Sequence, residues 1–279
     1  MLLIVALLWG GSFSVQSMMS NSLGNYTIVF LKTVGSIFLI IICIILKRKI
    51  NRKTILLGLL VGATNGTGLI LQQIGISTTT VSKASFISGL YVVFVPILGL
   101  FTKKKPKTRF WWAVIVAFFG LNLLCMNGEE MIGFGDLITL VASIFFALQI
   151  ILIDKYADEV DPLPFCAFQQ LITACMSGIL MMLLEKPHLS DFNGLLLPII
   201  YMMMFSGLLA QVLQNKYQKL VEPTVASLIM SLESVFGAIG GWLLLNQTIT
   251  LKEGFGCVLL FIAILIAEWW RIHYGKKNI

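Results

Sequence analysis

The stretch from Thr224 to Asn246, TVASLIMSLESVFGAIGGWLLLN, decides the fold. It is an apolar run long enough to span a bilayer, since a membrane helix needs about 20 such residues. One acid, Glu233, lies near its middle. A carboxylate at that depth costs several kcal/mol unless it is paired, hydrated or protonated. Glu233 is therefore a candidate functional residue of a membrane protein.

The same stretch is one copy of an internal repeat. Moved back by 142 positions, it overlays residues 82–104, and between residues 84 and 99 eight of sixteen positions are identical in the two copies. Such a match between two long segments indicates a duplicated chain. Under this alignment Gln72 corresponds to Gln214, and Tyr91 corresponds to Glu233.

The composition indicates a polytopic membrane protein. The chain is 58% hydrophobic and 12% charged, whereas soluble domains have about 25% charged residues. The net charge of +7 comes mostly from clusters beside apolar runs, which favours the positive-inside bias over nucleic-acid binding. The cysteines lie in apolar runs without the spacing of a metal or redox site. They are Cys43, Cys125, Cys166, Cys175 and Cys257.

Ten apolar runs have the length of a membrane-spanning helix. The predicted spans are Leu2 to Met19, Tyr26 to Leu46, Thr54 to Gly75, Ala84 to Phe101, Phe110 to Met126, Phe134 to Asp154, Leu163 to Leu184, Gly194 to Leu213, Thr224 to Leu245 and Glu253 to Trp270. The first run has no basic segment before it, so we expect a retained helix and not a signal peptide. The fold class predicted is all-α and integral to the membrane.

The basic loops predict the orientation of the chain. Residues 47–53 and 103–109 hold five Lys or Arg each, and the tail adds three more. With ten helices, all three clusters and both termini fall on the cytoplasmic side of the inner membrane. The sixth loop, residues 154–161, falls on the same side although it carries four acids and one lysine. Acids weigh little in this rule.

The number of spans has a geometric consequence. Five helices per copy is an odd number, so the two copies have opposite orientations in the membrane. Inverted repeats of this kind are the architecture of many secondary transporters, with the substrate site near the midplane between the copies. We predict a first repeat over residues 1–127, a second over 132–271 and a cytoplasmic tail over 272–279.

Several short motifs resemble the EamA family of the drug/metabolite transporter superfamily, and they occur in the family's order across nearly the whole chain. They are Leu8-Trp9-Gly10, Ala84-Ser85-Phe86-Ile87-Ser88-Gly89-Leu90-Tyr91 with Pro96, and Ala226-Ser227-Leu228-Ile229 with Leu232-Glu233. The resemblance implies a ten-helix permease with two EamA repeats. It also implies export or exchange of metabolites, amino acids or drugs through a cavity lined largely by helices 3, 4, 8 and 9.

Two departures from the family pattern follow the acid of the ninth helix. Ser234 stands where the family often has proline, and Asn246 stands where it often has a second Glu. A coupling scheme that needs two acids on this helix is therefore in doubt.

Amide side chains recur on one face of two predicted helices. Asn65 and Gln72 share a face of the third helix, and Gln211 and Gln214 share a face of the eighth. Amides donate and accept hydrogen bonds together, so they could orient a polar solute without adding net charge. The alternative is that they join helices, at about 0.6 kcal/mol for each hydrogen bond.

The candidate for proton coupling is Glu233, which would take up a proton on one side and release it when substrate binds. The alternative is a structural acid bonded to a neighbouring helix. Tyr91 and Trp9 are candidates for the cavity wall, with ordinary packing as the alternative. Lys32 lies nearly two turns inside its helix. It would bind a substrate carboxylate or pair with an acid, and the alternative is that its side chain extends to the membrane interface, which is called snorkelling. For Lys83 we expect snorkelling to the interface.

The sequence thus predicts a secondary transporter, an exporter by resemblance, of a small organic solute, with no cofactor. The expected partners are the solute, the bilayer and H⁺, and a homodimer is an alternative to a monomer. No Walker-type loop occurs in the sequence. The rival hypotheses are a non-transporting or channel-like protein and an intramembrane enzyme. The enzyme is disfavoured because the spans contain no His and no paired acids near their centres.

Overall fold

The computed structural model describes residues 1–102, 108, 110–125, 133–245 and 250–274, and these residues form helices joined by short connections, with no strand among them. The α-helices are α1 (Leu2–Met19), α2 (Asn25–Thr33), α3 (Ser36–Ile45), α4 (Arg52–Ile76), α5 (Val81–Gly89), α6 (Tyr91–Gly99), α7 (Phe110–Cys125), α8 (Phe134–Tyr156), α9 (Pro162–Leu180), α10 (Leu196–Ile200), α11 (Ala210–Tyr217), α12 (Pro223–Met230), α13 (Glu233–Leu245) and α14 (Leu251–Tyr274). Two further segments are π-helices, Met181–Glu185 and Tyr201–Leu209, and two are 3₁₀ turns, Leu189–Phe192 and Gln218–Leu220.

Each predicted span coincides with one helix or with helical segments in series. Seven described segments are long and apolar enough to cross a membrane: Leu2–Met19, Asn25–Ile45, Arg52–Ile76, Phe134–Tyr156, Pro162–Glu185, Leu196–Leu220 and Pro223–Leu244. The apolar segments of the other three spans are shorter, namely Lys83–Gly99, Phe110–Leu123 and Gly254–Ile266. The helical, multi-pass membrane class is confirmed, and the count of ten crossings stays a prediction.

Burial in the bundle is inverted with respect to a water-soluble protein. Large apolar side chains such as Ile44, Ile45 and Leu243 are exposed on the outer surface, whereas many amide and hydroxyl side chains are buried. Lipid tails are as apolar as these outer side chains, so such a surface is stable only in a bilayer. The interior collects the polar groups that lipid cannot hydrate.

The first and last thirds of the chain meet where α1 crosses α13. Gly10 lies against the backbone of Glu233, and a methyl group added to Gly10 would overlap it. On the facing helix, a Cβ on Gly240 would lie 3.1 Å from the hydroxyl oxygen of Ser14. Small residues let two membrane helices approach this closely. The packing fixes the start of α13, and with it Glu233, against α1.

At one end of the bundle, buried polar contacts centred on Asp136 join neighbouring helices, and we call it the Asp136 end. The Thr79 hydroxyl donates to Asp136 Oδ1 at 2.6 Å, and the Lys83 ammonium lies 3.8 Å from Oδ2. At the same end, the Glu185 carboxylate accepts two backbone N–H groups and the hydroxyl at the start of α2, at 2.7 to 2.8 Å. Both contacts join the N-terminal half to the C-terminal half.

The opposite end, called the Asp161 end, is held by solvent-exposed ion pairs. They are Arg48–Asp161 at 3.3 Å, Lys53–Glu159 at 2.7 Å and Lys219–Asp158 at 3.5 Å. The acidic sixth loop therefore lies beside the basic second loop, on the same face of the bundle. The basic side chains of neighbouring segments form ion pairs with acids of the sixth loop and so offset their negative charge.

The expectation for Lys83 was wrong. Its side chain does not snorkel to the interface but is buried beside Asp136. The acid sits in the first turn of α8 and also caps the backbone N–H of Gly133 at 2.9 Å. A lysine next to a buried carboxylate is paired in the interior, so it has no need to reach water.

Candidate functional site

A cavity walled by amide, charged and aromatic side chains lies inside the bundle, with an empty volume of about 530 Å³ that includes any part open to the outside. Both halves of the chain contribute to its wall, through α1, α2, α4 and α6 on one side and α8, α9, α11 and α13 on the other. All eight residues predicted as site residues line it: Trp9, Lys32, Asn65, Gln72, Tyr91, Gln211, Gln214 and Glu233. The family resemblance implied a cavity lined by the third, fourth, eighth and ninth predicted spans. The observed cavity also involves the first, second, sixth and seventh predicted spans.

Two broken helices place Tyr91 and Glu233 in the cavity wall. The predicted fourth span breaks at Leu90 and resumes as α6 with Tyr91 as its first residue. The predicted ninth span breaks at residues 231–232 and resumes as α13 with Glu233 as its first residue. Leu90 and Leu232 correspond in the repeat alignment, so the two halves share the break. The backbone stays in the right-handed helical region at Leu90 and at Ser231, so each break is one tight turn within a single span.

Glu233 and Lys32 are the charged side chains among the described residues that line the cavity. Glu233 is 4% exposed and Lys32 is 5% exposed. Both side chains line the same cavity, and no salt bridge among the described residues joins them. The Tyr91 hydroxyl lies near the Glu233 carboxylate, although it makes no hydrogen bond of correct geometry. Within the described part of the chain, both charges therefore stand in the interior without an ion-pair partner in contact.

The position of Lys32 depends on close packing of α2 against the π-helical segment Tyr201–Leu209. A methyl group on Gly207 would overlap the backbone carbonyl of Lys32. The carbonyls of Ser206 and Gly207 accept side-chain donors from other helices, the Trp9 indole N–H at 3.1 Å and the Gln170 amide at 2.9 Å. A π-helix leaves such carbonyls available, and membrane interiors require that they be satisfied. Trp9 thus lines the cavity and also joins α1 to the π-helical segment through its indole hydrogen bond.

A chain of amides runs along the C-terminal side of the cavity. Gln214 Oε1 accepts from Gln211 at 2.9 Å and from Gln149 at 3.3 Å. Gln214 donates in turn to Gln218 at 3.0 Å, and Gln218 donates to the carbonyl of Ile150 at 2.7 Å. This network connects α11 to α8. Gln211 and Gln214 therefore line the cavity and also join helices by hydrogen bonds.

Other polar groups of the wall, from both halves of the chain, are less completely bonded. Gln72 donates to the Ser88 hydroxyl at 3.0 Å. The Asn65 Nδ2 group, the Tyr91 hydroxyl and the Gln170 Oε1 atom are buried at the cavity and find no hydrogen-bond partner among the described residues. Buried polar groups are normally paired. These three are therefore available to a molecule bound in the cavity.

Sequence reasoning missed several wall residues. Gln149 and Gln170 are the polar ones with a detectable signal, because each is an amide in the middle of an apolar span, as Gln72 is. The remaining wall residues are Ser12, Phe13, Leu69, Phe146 and Ile150. Aromatic and aliphatic residues of this type occur on every face of a membrane helix, so their sequence positions carry no comparable signal.

The cavity does not have the ligands of a metal centre. Within the residues that the structure describes, no group of three or more His, Cys, Asp or Glu side chains could hold a metal ion. Its chemistry is that of one carboxylate, one ammonium group, amides, hydroxyls and aromatic rings. Such a set can recognise a solute and bind or release a proton.

The fold and the cavity define a helical, multi-pass membrane protein with polar and charged side chains around an interior cavity. Comparison with known families then places it more closely, because the model of the EamA-like transporter family matches the chain twice, over residues 1–126 and 133–269. The chain belongs to that family.

Individual proteins of known sequence or structure are also similar to this chain. A protein of Archaeoglobus fulgidus named "Uncharacterized transporter" is 26% identical over 268 residues, which cover 96% of this chain and 84% of the relative. A solved structure titled "Crystal structure of protein" superposes with a TM-score of 0.78 and 12% identity, covering 99% of this chain and 98% of that one. The latter likeness shows the shared fold.

Proposed function

We propose that this protein is a secondary transporter that carries a small organic solute through the central cavity by alternating access. The observation that carries the proposal is the pair of buried charges, Lys32 and Glu233, in a cavity walled by both halves of the chain. Uncompensated charges inside a membrane protein are costly and commonly mark a transport pathway. A purely structural bundle would gain nothing by keeping them.

The proposed architecture has ten crossing helices in two inverted five-helix halves, residues 1–127 and 132–271. The shared breaks at Leu90 and Leu232 and the polar contacts between halves at both ends of the bundle support this arrangement. The Asp161 end would face the cytoplasm of the inner membrane with both chain termini, because it carries the basic second loop. Export is the proposed direction, in keeping with the family resemblance.

Glu233 is the proposed proton carrier. Its carboxylate is buried at the start of α13, near the Tyr91 hydroxyl and across the cavity from the Lys32 ammonium. A proton and a cargo that compete for one carboxylate would exchange across the membrane, since each must leave before the other binds. The proton gradient would then drive the solute outward.

The test is an untargeted mass-spectrometric comparison of medium and cytosol from bacteria that overproduce the protein, its Glu233→Gln variant or an empty vector. We expect one chemical family of solutes to accumulate in the medium with the parent protein and much less with the variant. Equal export by parent and variant would make Glu233 structural. No difference between parent and empty vector would overturn export. Conductance across a planar bilayer without saturation by solute would instead indicate a pore.

A further inference from the structure

The second predicted span is broken, as the fourth and the ninth are, and the break lies beside the cavity. Helix α2 covers Asn25–Thr33, a turn occupies residues 34–35, and α3 covers Ser36–Ile45. Lys32, next to the end of α2, lines the cavity, whereas α3, which the structure describes in full, supplies none of the wall residues. The turn therefore separates a segment that lines the cavity from one that does not.

The end of α2 at this turn is packed closely against the π-helical segment Tyr201–Leu209. A Cβ on Gly35 would lie 2.9 Å from Met203 Cγ, and a Cβ on Gly207 would overlap the carbonyl oxygen of Lys32. Small residues permit contacts this close between membrane helices. This end of α2 therefore has little room to move.

The start of α2 is held by one side chain from the C-terminal half. The Glu185 carboxylate accepts the backbone N–H groups of Tyr26 and Thr27 at 2.8 Å and the Thr27 hydroxyl at 2.7 Å. The first N–H groups of a helix have no partner within that helix, so Glu185 supplies what α2 lacks. A Cβ on Gly24 would overlap the carboxyl group, which shows how closely the side chain lies against the chain.

We propose, as an extension of the proposed function and resting on it, that α2 is a gate helix and Glu185 is the strap that holds it in place. When the Asp136 end opens, α2 swings about the turn at residues 34–35. Hinges in proteins are commonly a few residues at the ends of elements. Glu185 is half-buried, so water can replace its hydrogen bonds when the strap releases. Because Lys32 lies beside the hinge, the swing reorients a charge that faces the cavity.

A second contact between the halves at the Asp136 end parts in the same motion. It joins Thr79 and Lys83 of the N-terminal half to Asp136 of the C-terminal half. The competing explanation is that Glu185 only caps α2. The two explanations differ in reach, because loss of a cap loosens the first turn of α2 alone. Loss of a strap also admits water to the segment around Thr79 and Lys83.

The experiment measures backbone amide hydrogen exchange by mass spectrometry on the full-length protein in lipid nanodiscs. The parent is compared with Glu185→Ala and with Thr27→Val, which removes one hydrogen bond of the strap and retains the shape of the side chain. Asp191→Ala is the matched control. The Asp191 carboxylate lies in the loop that follows Glu185, but it accepts from His188 and Ser190 of its own turn.

We expect Glu185→Ala to speed exchange roughly tenfold at residues 24–28 and also at residues 78–84, since hydrogen bonds to a charged group are the stronger ones and their loss favours local opening. Thr27→Val should give a smaller increase at the same two segments. Exchange in α3 should stay at the parent's rate, because the hinge separates α3 from α2. Asp191→Ala should affect residues 188–193 alone.

Faster exchange confined to residues 24–28 would make Glu185 a local cap and would overturn the gate. An equal increase in α3 would overturn the hinge. If Glu185→Ala does not fold, Thr27→Val decides by the same two segments. The transport function is tested separately, by export of solutes from cells that overproduce the parent. Export together with confined exchange refutes the gate alone, whereas absence of export refutes the proposed function.

Discussion

Tyr91 and Glu233 stand in the same place in the two halves of the chain, each as the first residue of the second segment of a broken helix, and both side chains reach one cavity. The fold is duplicated at this point, but the chemistry is not. One copy supplies a neutral hydroxyl and the other a carboxylate. The cavity is therefore pseudosymmetric in backbone and asymmetric in charge, because one of the two equivalent positions holds a carboxylate and the other does not.

Glu233→Gln should abolish the response of export to the proton gradient. Glutamine keeps the shape and polarity of the side chain but can neither bind nor release a proton. We expect export by the parent to fall when the medium is made alkaline, because the inward proton gradient collapses. Export by the variant should be slow and insensitive to that change. Solute efflux at several external pH values, with Glu233→Asp as the titratable control, provides the measurement.

Tyr91→Phe should impair transport without loss of stability. The Tyr91 hydroxyl has no hydrogen-bond partner among the described residues, so its removal costs the fold little, within about 0.5 kcal/mol. Tyr201→Phe is the matched control, because that hydroxyl donates to the Leu8 carbonyl at 2.8 Å. Its loss should cost about 0.5 to 1.5 kcal/mol. Thermal unfolding and efflux rates separate the two, and equal destabilisation by both variants would contradict the assignment of Tyr91 to the cargo.

Gln214→Leu should destabilise the bundle more than Gln72→Leu does. Gln214 takes part in three amide hydrogen bonds, whereas Gln72 makes one, to Ser88. At about 0.6 kcal/mol for each bond in a membrane protein, the expected losses are roughly 2 and 0.6 kcal/mol. Unfolding in a series of denaturing detergent mixtures measures the difference. The same loss in both variants would mean that the amide chain does not support the α11 contact.

Gly207→Ala should reduce transport by displacing Lys32. The added methyl group would overlap the Lys32 carbonyl, so α2 must move away from the π-helical segment. Forced overpacking of this kind costs about 1 to 3 kcal/mol. Gly254→Ala is the control, because nothing in the described structure lies within 4 Å of a Cβ at that position. Efflux and thermal stability that are unchanged in Gly207→Ala would show that the position of α2 does not govern the site.

Much of the site follows from the sequence because polar residues are rare in membrane spans. An amide or a charge in an apolar run has few possible roles, so Gln72, Gln214, Lys32 and Glu233 stand out as candidates by their positions alone. Gln149 fits the same criterion, but it has no amide counterpart in the other half at the repeat offset. The repeat therefore gave no second reason to select it.

The features that the sequence did not reveal are set by tertiary contacts. The breaks at Leu90 and Leu232 fall on good helix formers, and the proline of α6, Pro96, lies farther along the helix. The prediction for Lys83 was wrong because its partner Asp136 lies more than 50 positions away and no local pattern relates the two. The repeat alignment nevertheless places Leu90 and Leu232 at equivalent positions, so a break in one half would be expected at the same position in the other.

The two ends of the bundle differ in how they respond to the surrounding medium. Salt screens charges over about 8 Å at physiological ionic strength, and it weakens exposed pairs far more than buried ones. The Arg48–Asp161 and Lys53–Glu159 pairs are exposed, whereas the Asp136 contacts are buried. Raising the ionic strength should therefore weaken the contacts of the Asp161 end more than those of the Asp136 end. In the proposed transport cycle, the balance between the two ends would then depend on the salt content of the surrounding medium as well as on the cargo.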